Sequence, residues 1–344
     1  MRGVLFQGDR GAVVEGFPDP QPGPRQVVVR MRVAAVCGSD LHNYRASAES
    51  LAARGQNRII PGHEPCGDVV ALGPDVRGVR VGDRVVVYHY LGCGHCKHCL
   101  SGYIQWCPER RGYGGPIHGS DADLLLTNEV NCLPLPPELG YVDGAFIACQ
   151  AGTAYSALGK LSPSGKDTLA VFGLGPVGLS GVMIGKALGA RVVGIDLLEE
   201  RLELALQLGV DEVVDAGREE VAKRLKPLTG GEGPGLAFET SGSGAAHQQL
   251  VDSLAFGGKA AFVGFGARDR TVNLTEIIGR QLTLMGSFVS PIGMYWDLAA
   301  FLVRHHVPLE AMVTHRFALE DAPEAFRLAD SGRTGKVVFE WPAS

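Results

Sequence analysis

The stretch Thr168-Leu-Ala-Val-Phe172-Gly173-Leu174-Gly175-Pro176-Val177-Gly178 decides the fold of this chain. Its first five residues predict a buried strand, and a helix is predicted from Val177 to Leu188. The glycines between them have the spacing G-x-G-x-x-G. The first allows a tight turn, the second lets the backbone approach a pyrophosphate, and the third lets the helix pack on the strand. Such a pattern alone often serves only packing, so the surrounding sequence must decide.

The residues that follow alternate between predicted strands and helices. Strands are predicted at 191–195, 213–214, 235–239, 259–263 and 282–286, and helices at 199–208, 219–225 and 245–256. This alternation predicts a parallel sheet with helices on both faces. The glycine turn would therefore receive phosphates at the positive N-terminus of a helix.

Asp196 ends the second predicted strand, at the spacing where a carboxylate meets an adenosine ribose. It would accept hydrogen bonds from both ribose hydroxyls and repel a 2'-phosphate, which favours NAD over NADP. Arg201 is a further candidate beside that ribose, because an arginine there can serve a phosphate. NAD is the predicted cofactor, held by Gly173, Gly175, Pro176, Val177, Gly178, Asp196 and Arg201.

The flanking sequence has a different character. Short apolar runs at 27–33, 67–72 and 84–88, separated by proline and glycine turns, predict a compact β-rich unit with the form of a distorted barrel. Near the end, helices at 294–305 and 322–329 precede a closing strand at 336–341. We therefore predict a β-rich domain at 1–150, a doubly wound parallel-sheet (Rossmann) domain at 151–286, and a return to the first domain at 287–344.

Composition excludes several classes of partner. Lys and Arg number 32 against 37 Asp and Glu, a formal net charge of -5, so neither nucleic acid nor an anionic membrane is expected. No apolar run is long enough to span a bilayer, and the N-terminus lacks the apolar core of a signal peptide. A cytoplasmic protein is expected.

Four of the eight cysteines are crowded into one short segment with the spacing Cys93-x2-Cys96-x2-Cys99-x7-Cys107. Four thiolates form a closed tetrahedral set for zinc, which is typical of a structural site. An iron–sulfur cluster is the main alternative, since four thiolates suit it too. His95 and His98 lie between the ligands and are predicted to be exposed neighbours.

A second group of donors is dispersed along the chain. Cys37-Gly38-Ser39-Asp40-Leu41-His42 follows a predicted strand, Gly62-His63-Glu64 comes later, and Cys149 lies in an apolar stretch. Cys37, His63 and Cys149 would supply sulfur, nitrogen and sulfur and leave a fourth zinc position for water or substrate, the condition for catalysis. The alternatives are an ordinary strand exit at Cys37 and a buried apolar cysteine at Cys149.

These pieces, together with Val313-Thr-His-Arg-Phe317, resemble the zinc-dependent medium-chain alcohol dehydrogenase family over essentially the full length of the chain. The resemblance implies an α/β chain with a GroES-like β-rich catalytic domain and a Rossmann coenzyme domain. It also implies hydride transfer between a primary or secondary alcohol and NAD, giving an aldehyde or ketone. Two Zn2+ per chain are expected, one catalytic and one structural, in a homo-oligomer, either a tetramer or a dimer.

The resemblance also implies individual roles. Cys37, His63 and Cys149 would hold the catalytic zinc, with Glu64 as a further possible ligand and Asp40 orienting the ligand imidazole. Ser39 would take the substrate proton and His42 would relay it to solvent. The cofactor contacts would include Thr153, Val263 and Phe265.

Two departures and two alternatives accompany the resemblance. Polyol and threonine dehydrogenases of the family often have a carboxylate at the position of Cys149, so the cysteine favours an alcohol substrate. The loop 119–123, at the expected rim of the pocket, is more acidic than the corresponding loop usually is in the family.

A polyol, sugar or threonine-type dehydrogenase is the first alternative to this function. An inactive zinc- and NAD-binding structural protein is the second, and the complete set of ligands, hydroxyl and histidine argues against it.

Overall fold

The computed structural model of the protein describes residues 1–266 and 272–342. The chain forms two compact units. Unit 1 comprises Met1–Cys149, Pro291–Val303 and Val313–Ser344, and unit 2 comprises Gln150–Ser290 and Arg304–Met312. Residues 287–290 and 304–312 thus belong to unit 2, whereas the sequence placed them in the returning segment.

The described residues form strands and helices along the whole chain. The strands are β1 (Arg2–Gly8), β2 (Gly11–Gly16), β3 (Gln26–Ala35), β4 (Pro65–Leu72), β5 (Arg84–Val87), β6 (Tyr90–Leu91), β7 (Arg111–Gly112), β8 (Leu124–Asn128), β9 (Cys132–Pro134), β10 (Thr168–Phe172), β11 (Arg191–Asp196), β12 (Glu212–Asp215), β13 (Leu236–Glu239), β14 (Lys259–Phe262), β15 (Thr283–Gly286), β16 (Val313–Phe317) and β17 (Lys336–Glu340). The helices are α1 (Asp40–Tyr44), α2 (Ala48–Ala53), α3 (Lys97–Leu100), α4 (Tyr141–Ala148), α5 (Gln150–Leu161), α6 (Pro176–Ala187), α7 (Glu199–Gln207), α8 (Val221–Leu228), α9 (Gly244–Ser253), α10 (Leu274–Gly279), α11 (Met294–His305) and α12 (Ala322–Asp330).

Unit 2 contains a six-stranded sheet with the order β12-β11-β10-β13-β14-β15, in which every neighbouring pair is parallel. Counted from β10, this is the 3-2-1-4-5-6 order of the doubly wound dinucleotide-binding fold. The strand order reverses between β10 and β13, and ligands bind such sheets at the carboxyl ends of the strands there. The predicted α/β fold is confirmed.

The local sequence explains the start of this sheet. The residues of β10 after Thr168 are fully buried, as expected of a parallel strand covered on both faces. Gly173 has φ +90°, a conformation that favours glycine, and it turns the chain toward α6. Gly175 then precedes the helix, and Pro176 occupies its first turn, where a missing N–H costs nothing.

Unit 1 is dominated by strands. Its largest sheet has the order β16-β17-β3-β4-β5-β9, with β8 also pairing with β3. Only β16 and β17 run parallel in this sheet. The pairing of β17 with β3 joins the end of the chain to its beginning, so the predicted return of the closing strand is found.

The helical region in which the chain passes from unit 1 to unit 2 is interrupted at Cys149. The sequence from 142 to 158 is compatible with a helix that its glycines would shorten or split. The structure has two helices there, α4 and α5, separated by Cys149 alone. Cys149 has φ -139° and ψ -77°, which ends α4. Over residues 1–266 and 272–342, the helices include none that combines the length and apolar character needed to cross a membrane.

Candidate metal centres and nucleotide site

Asp40 connects the first two candidate ligands of unit 1. The chain leaves β3 at Ala35, and the backbone N–H of Cys37 donates to Asp40 Oδ2 at 2.9 Å. The other carboxylate oxygen, Oδ1, lies 2.9 Å from His63 Nδ1. Because Nδ1 is engaged by a buried carboxylate, the ring orientation is fixed and Nε2 is the nitrogen left for a metal.

Four side chains converge beside this pair. Donor atoms of Cys37, His63, Glu64 and Cys149 all lie within 4.8 Å of one another. Gly62, with φ +91°, sets the direction of the chain just before His63, and the break between α4 and α5 presents Cys149. The structure thus brings together three distant parts of the sequence in one sulfur, nitrogen and sulfur donor set, with a carboxylate beside it.

The electrostatics of this group suit a cation. A hydrogen bond with Cys149 lowers the pKa of Cys37 well below its usual range, against burial, and raises that of Cys149. Burial lowers the pKa of His63, but Asp40 and Cys37 outweigh it and raise the pKa overall. Thiolate sulfur with imidazole nitrogen is the donor chemistry that zinc prefers. The residues therefore fit a zinc ion.

The two candidate proton-transfer residues lie on the exposed side of this group. Ser39 Oγ is 3.4 Å from His63 Nε2. His42 is exposed on α1, three residues beyond Ser39. The hydroxyl thus lies within reach of the group, and the imidazole lies at the surface where it can exchange protons with water.

The four clustered cysteines form a second compact donor set in unit 1. The Sγ atoms of Cys93, Cys96, Cys99 and Cys107 lie within 4.8 Å of one another. Cys99 Sγ is 4.0 Å from Cys93 Sγ and 3.6 Å from Cys96 Sγ. A tetrahedron with Zn–S bonds of about 2.3 Å has edges of about 3.8 Å, so these separations fit a zinc ion.

The surroundings of these sulfurs also suit a metal. Backbone N–H groups of His95 and Cys96 lower the pKa of Cys93 to about 6. His95 is exposed as predicted, whereas His98 is half-buried against the ring of Trp106. A second possible donor group, Cys93 with His95 and Glu109, overlaps the four cysteines.

In unit 2, the glycine turn between β10 and α6 leaves no room for a side chain at Gly173 or Gly178. A Cβ on Gly178 would lie 1.9 Å from the carbonyl oxygen of Gly173, and one on Gly173 would lie 2.8 Å from the backbone nitrogen of Ser241. Gly175 has open space around it apart from Arg201. The turn is therefore tightly closed on its sheet side and open on the side where a pyrophosphate would approach.

Asp196 holds this turn in place. Its Oδ2 accepts from the N–H of Leu174 at 2.7 Å, and its Oδ1 accepts from Leu197 and Leu198. Arg201 Nη1 lies 3.6 Å from Asp196 Oδ2, so the arginine and the carboxylate form an ion pair beside the glycine turn.

The other predicted cofactor residues lie elsewhere in unit 2. Thr153 is buried on α5, and the N–H of Val263 bonds the carbonyl of Glu239 just beyond β14. Phe265 is 83% exposed, and its ring and that of Phe288 form a T-shaped pair with centroids 5.9 Å apart. Val263 thus follows its strand at the carboxyl edge of the sheet, where this fold binds ligands.

Comparison with known proteins identifies the family. The protein-family model for the alcohol dehydrogenase GroES-like domain matches residues 23–137. The protein-family model for zinc-binding dehydrogenases matches residues 176–304. The chain is 37% identical to the zinc-type alcohol dehydrogenase-like protein YphC of Escherichia coli, with 94% of each sequence covered. The chain belongs to the zinc-dependent medium-chain dehydrogenase family.

Two further relatives cover nearly all of this dehydrogenase. It is 32% identical to L-threonine 3-dehydrogenase of Rhizobium rhizogenes, over 98% of the chain and 97% of the relative. The structure of alcohol dehydrogenase TADH from Thermus sp. ATN1 matches with a TM-score of 0.90 and 30% identity, over 99% of both chains. The predicted family and its GroES-like and Rossmann domains are confirmed.

Sequence reasoning did not single out Lys336 of this zinc-dependent dehydrogenase. The side chain is fully buried, and its Nζ lies 2.9 Å from Glu64 Oε1 and 2.8 Å from Oε2. Burial lowers the pKa of Lys336, but Glu64 and Cys37 outweigh it and raise the pKa overall. Burial likewise raises the pKa of Glu64 to about 8, against the effect of Lys336.

The acidic loop lies in the interior of unit 1, not at an exposed rim. Ser120 and Asp121 are fully buried, and within the described residues neither side chain has a hydrogen-bond partner. The backbone pairs with residues 60–62, so Asp121 packs against Gly62, where a Cβ would lie 2.1 Å from Oδ1. Burial and the nearby Asp40 raise the pKa of Asp121 well above its usual range.

His89 and Glu239 are two further buried polar residues. His89 Nδ1 lies 2.5 Å from the carbonyl of Ala148, and burial lowers its pKa to about 4, so it is neutral at pH 7. Glu239, at the end of β13, accepts from the backbone of Ser241 and Gly242 through Oε1. It stabilises the turn that faces Gly173, and its position at a strand end was the signal available in the sequence.

Proposed function

We propose that this dehydrogenase transfers a hydride between a primary or secondary alcohol and NAD, giving an aldehyde or ketone. The observation that supports this most directly is the convergence of Cys37, His63 and Cys149, with Asp40 behind the imidazole. A set of three protein donors leaves room for substrate at a fourth position, which is the arrangement of catalytic zinc sites.

A zinc ion held by Cys37, His63 and Cys149 would supply Lewis-acid chemistry that stabilises negative charge on the substrate oxygen. The chain's own residues would transfer the proton of the substrate hydroxyl group. Ser39 lies beside His63 Nε2 and would accept the hydroxyl proton. A serine cannot retain that proton, so His42, an exposed imidazole, would pass it to solvent.

The cofactor proposal rests on the glycine turn and Asp196. The backbone of Gly173 to Gly178 would approach the pyrophosphate, and Pro176 and Val177 begin the helix whose N-terminus faces it. Asp196 would bind the ribose hydroxyls and disfavour a 2'-phosphate, with Arg201 close by. Thr153, Val263 and Phe265 would contact the rest of the cofactor.

Three further proposals accompany this function. Cys93, Cys96, Cys99 and Cys107 would hold a second, structural zinc, since four protein ligands leave no open position. Assembly of the chain as a homo-oligomer, either a dimer or a tetramer, is proposed from the family resemblance, and a location in the cytoplasm is proposed as well. A polyol or threonine-type substrate is the alternative, and threonine is what the Rhizobium relative is named for.

A substrate screen tests the proposal. Purified protein with its metal content measured would be given NAD or NADP and a panel of primary alcohols, secondary alcohols, sorbitol, galactitol 1-phosphate and L-threonine, and reduced cofactor would be followed by absorbance. We expect reduction of NAD with a simple alcohol. Faster turnover of sorbitol or threonine would support the alternative, and no turnover by protein carrying both zinc ions would contradict catalysis.

Cys149→Ala is the matched control for the screen. Cys149 is the donor with the plainest alternative role, a buried apolar cysteine in Phe146-Ile-Ala-Cys149. The variant is expected to lose one zinc ion per chain together with its activity. Retention of both zinc ions and of full activity would refute the three-ligand assignment.

A further inference from the structure

The last strand of unit 1, β17, places the buried ammonium group of Lys336 beside the candidate metal centre. In β17, Val338 pairs with Ala35, the last residue of β3, and the N–H of Val36 bonds the carbonyl of Val337. Lys336, one residue earlier, therefore begins its strand beside the point where the chain turns toward Cys37. Lysine is almost never fully buried without a partner, so this burial requires an explanation.

The partner of Lys336 is Glu64, the carboxylate of the four-donor group. Both side chains are excluded from solvent, with 1% and 0% of their surfaces exposed. Lys336 Nζ is hydrogen-bonded to Oε1 at 2.9 Å and lies 2.8 Å from Oε2, which makes no hydrogen bond. Nζ also lies 5.8 Å from the centroid of the Phe146 ring.

Glu64 therefore has two cationic sites within reach. One is Lys336, which it contacts, and the other is the position between Cys37, His63 and Cys149, where a metal ion would bind. A buried carboxylate without a counter-charge is strongly unfavourable, so Glu64 is ionised only where one of these two cations neutralises it. If it bound the ion, the protein would supply four ligands and close the coordination shell.

We propose that Lys336 is a positioning residue that holds Glu64 away from the metal ion and so keeps the fourth coordination position open to substrate. This inference rests on the proposed function, because it requires an ion at Cys37, His63 and Cys149. The charge and the position of Lys336 both matter, since a neutral side chain of similar length would fill the space without restraining the carboxylate.

Cobalt-substituted protein gives a readout that does not depend on turnover. Co2+ in the three-ligand site has visible absorption bands that change when imidazole enters the open position, whereas a closed four-cysteine site takes no added ligand. We expect Lys336→Met to alter these bands and to weaken imidazole binding by about tenfold or more, the size of effect common for residues behind metal ligands. In the double variant Glu64→Gln/Lys336→Met, imidazole binding returns to the wild-type value.

Two further variants keep the test decisive. Lys336→Arg retains the positive charge and is expected to keep the wild-type spectrum, which a general packing role would not require. Glu64→Gln alone is expected to leave the cobalt spectrum and imidazole affinity unchanged, because Glu64 does not bind the ion in the wild type. Where Lys336→Met does not fold, a changed cobalt spectrum in Glu64→Gln would still overturn the inference.

Two results would overturn the inference. One is a Glu64→Gln variant whose cobalt spectrum differs from that of the wild type, which would show that Glu64 is already a ligand. The other is a folded Lys336→Met variant that binds imidazole as the wild type does. Failure of the proposed function has a different signature, since wild-type protein would then bind no cobalt at Cys37, His63 and Cys149.

Discussion

Asp196 Oδ2 accepts a hydrogen bond of 2.7 Å from the backbone N–H of Leu174. A carboxylate at the end of β11 thereby fixes the glycine turn that follows β10, two strands that run parallel side by side. The same residue that would select the ribose also shapes the loop that would receive the pyrophosphate. In the proposed function, cofactor selectivity and cofactor affinity would therefore be coupled through one side chain.

Asp196→Asn is predicted to reduce the preference for NADH over NADPH. The amide has one acceptor oxygen and cannot accept both from Leu174 and from Leu197 and Leu198, and it loses the negative charge that would repel a 2'-phosphate. Hydrogen bonds to charged groups contribute about 1.5–3 kcal/mol, so NADH affinity should fall about tenfold or more while NADPH affinity falls less. Fluorescence titration with each reduced cofactor measures both changes.

Asp211→Asn is the matched control for this prediction. Asp211 Oδ2 accepts from the N–H of Val192 at 2.7 Å, the same kind of contact, but at the amino ends of the strands. Its replacement should leave both cofactor affinities unchanged. Equal effects of the two substitutions would mean that Asp196 acts only through stability.

The fold was predictable because its signals are local and periodic. The helix predicted at 294–305 matches α11, and the predicted helix from 177 to 188 differs from α6 by one residue at each end. Apolar runs and periodic apolar positions bounded by glycine and proline are visible in short windows of sequence. The division between the units is less local, and the short segment 304–312 belongs to unit 2, where Met312 contacts Ser180.

The site was predictable only where donor chemistry marks it. The spacing of cysteine and histidine residues indicated two donor groups. Within each group, the structure places the donor atoms close to one another. Lys336 carries no such mark, because its burial depends on Glu64, 272 residues away in the sequence. The burial of Asp121 similarly depends on pairing with residues 60–62. Long-range contacts of this kind have no signature in a single sequence.

Cys96→Ser is predicted to remove one zinc ion per chain and to lower the melting temperature. Cys96 Sγ lies 3.6 Å from Cys99 Sγ, and a structural metal site contributes its binding free energy to folding. Metal analysis together with thermal unfolding checks both effects. Cys132→Ala is the control, because Cys132 is buried outside both donor groups and should keep both ions.

The same metal analysis tests the identity of the structural ion. Iron with sulfide in the wild type would replace the zinc assignment with an iron–sulfur cluster. A Cys96→Ser variant that still holds two zinc ions would show that the four cysteines do not form a metal site.

Glu129→Gln is predicted to destabilise unit 1 at neutral pH, and to do so less in acid. Backbone N–H groups of Arg77 and Gly78, with Arg25, hold the pKa of Glu129 below its ordinary value of 4.5. A carboxylate with a lowered pKa contributes stability above its unfolded pKa, and that contribution is lost as the pH falls through the folded pKa.

We expect a loss of about 1.5 kcal/mol at pH 7, the lower end for hydrogen bonds to a charged group. Urea unfolding of wild type and variant at pH 7 and pH 3 measures the difference, which should shrink at pH 3. Glu138→Gln, at an exposed position, serves as the control. A difference that stays constant with pH would show that the charge of Glu129 does not matter.

Two glycines of unit 2 are predicted to respond in opposite directions to alanine. A Cβ on Gly178 would lie 1.9 Å from the carbonyl oxygen of Gly173, so Gly178→Ala must displace the turn. Overpacking of this kind costs about 1–3 kcal/mol, and displacement of the turn should weaken NADH binding as well.

A Cβ on Gly159, near the end of α5, would have nothing within 4 Å, so Gly159→Ala should stabilise the protein by about 0.5–1 kcal/mol. Chemical unfolding and NADH titration of both variants test the pair, and a Gly178→Ala variant with unchanged stability and affinity would mean that the turn has room that its close contacts deny.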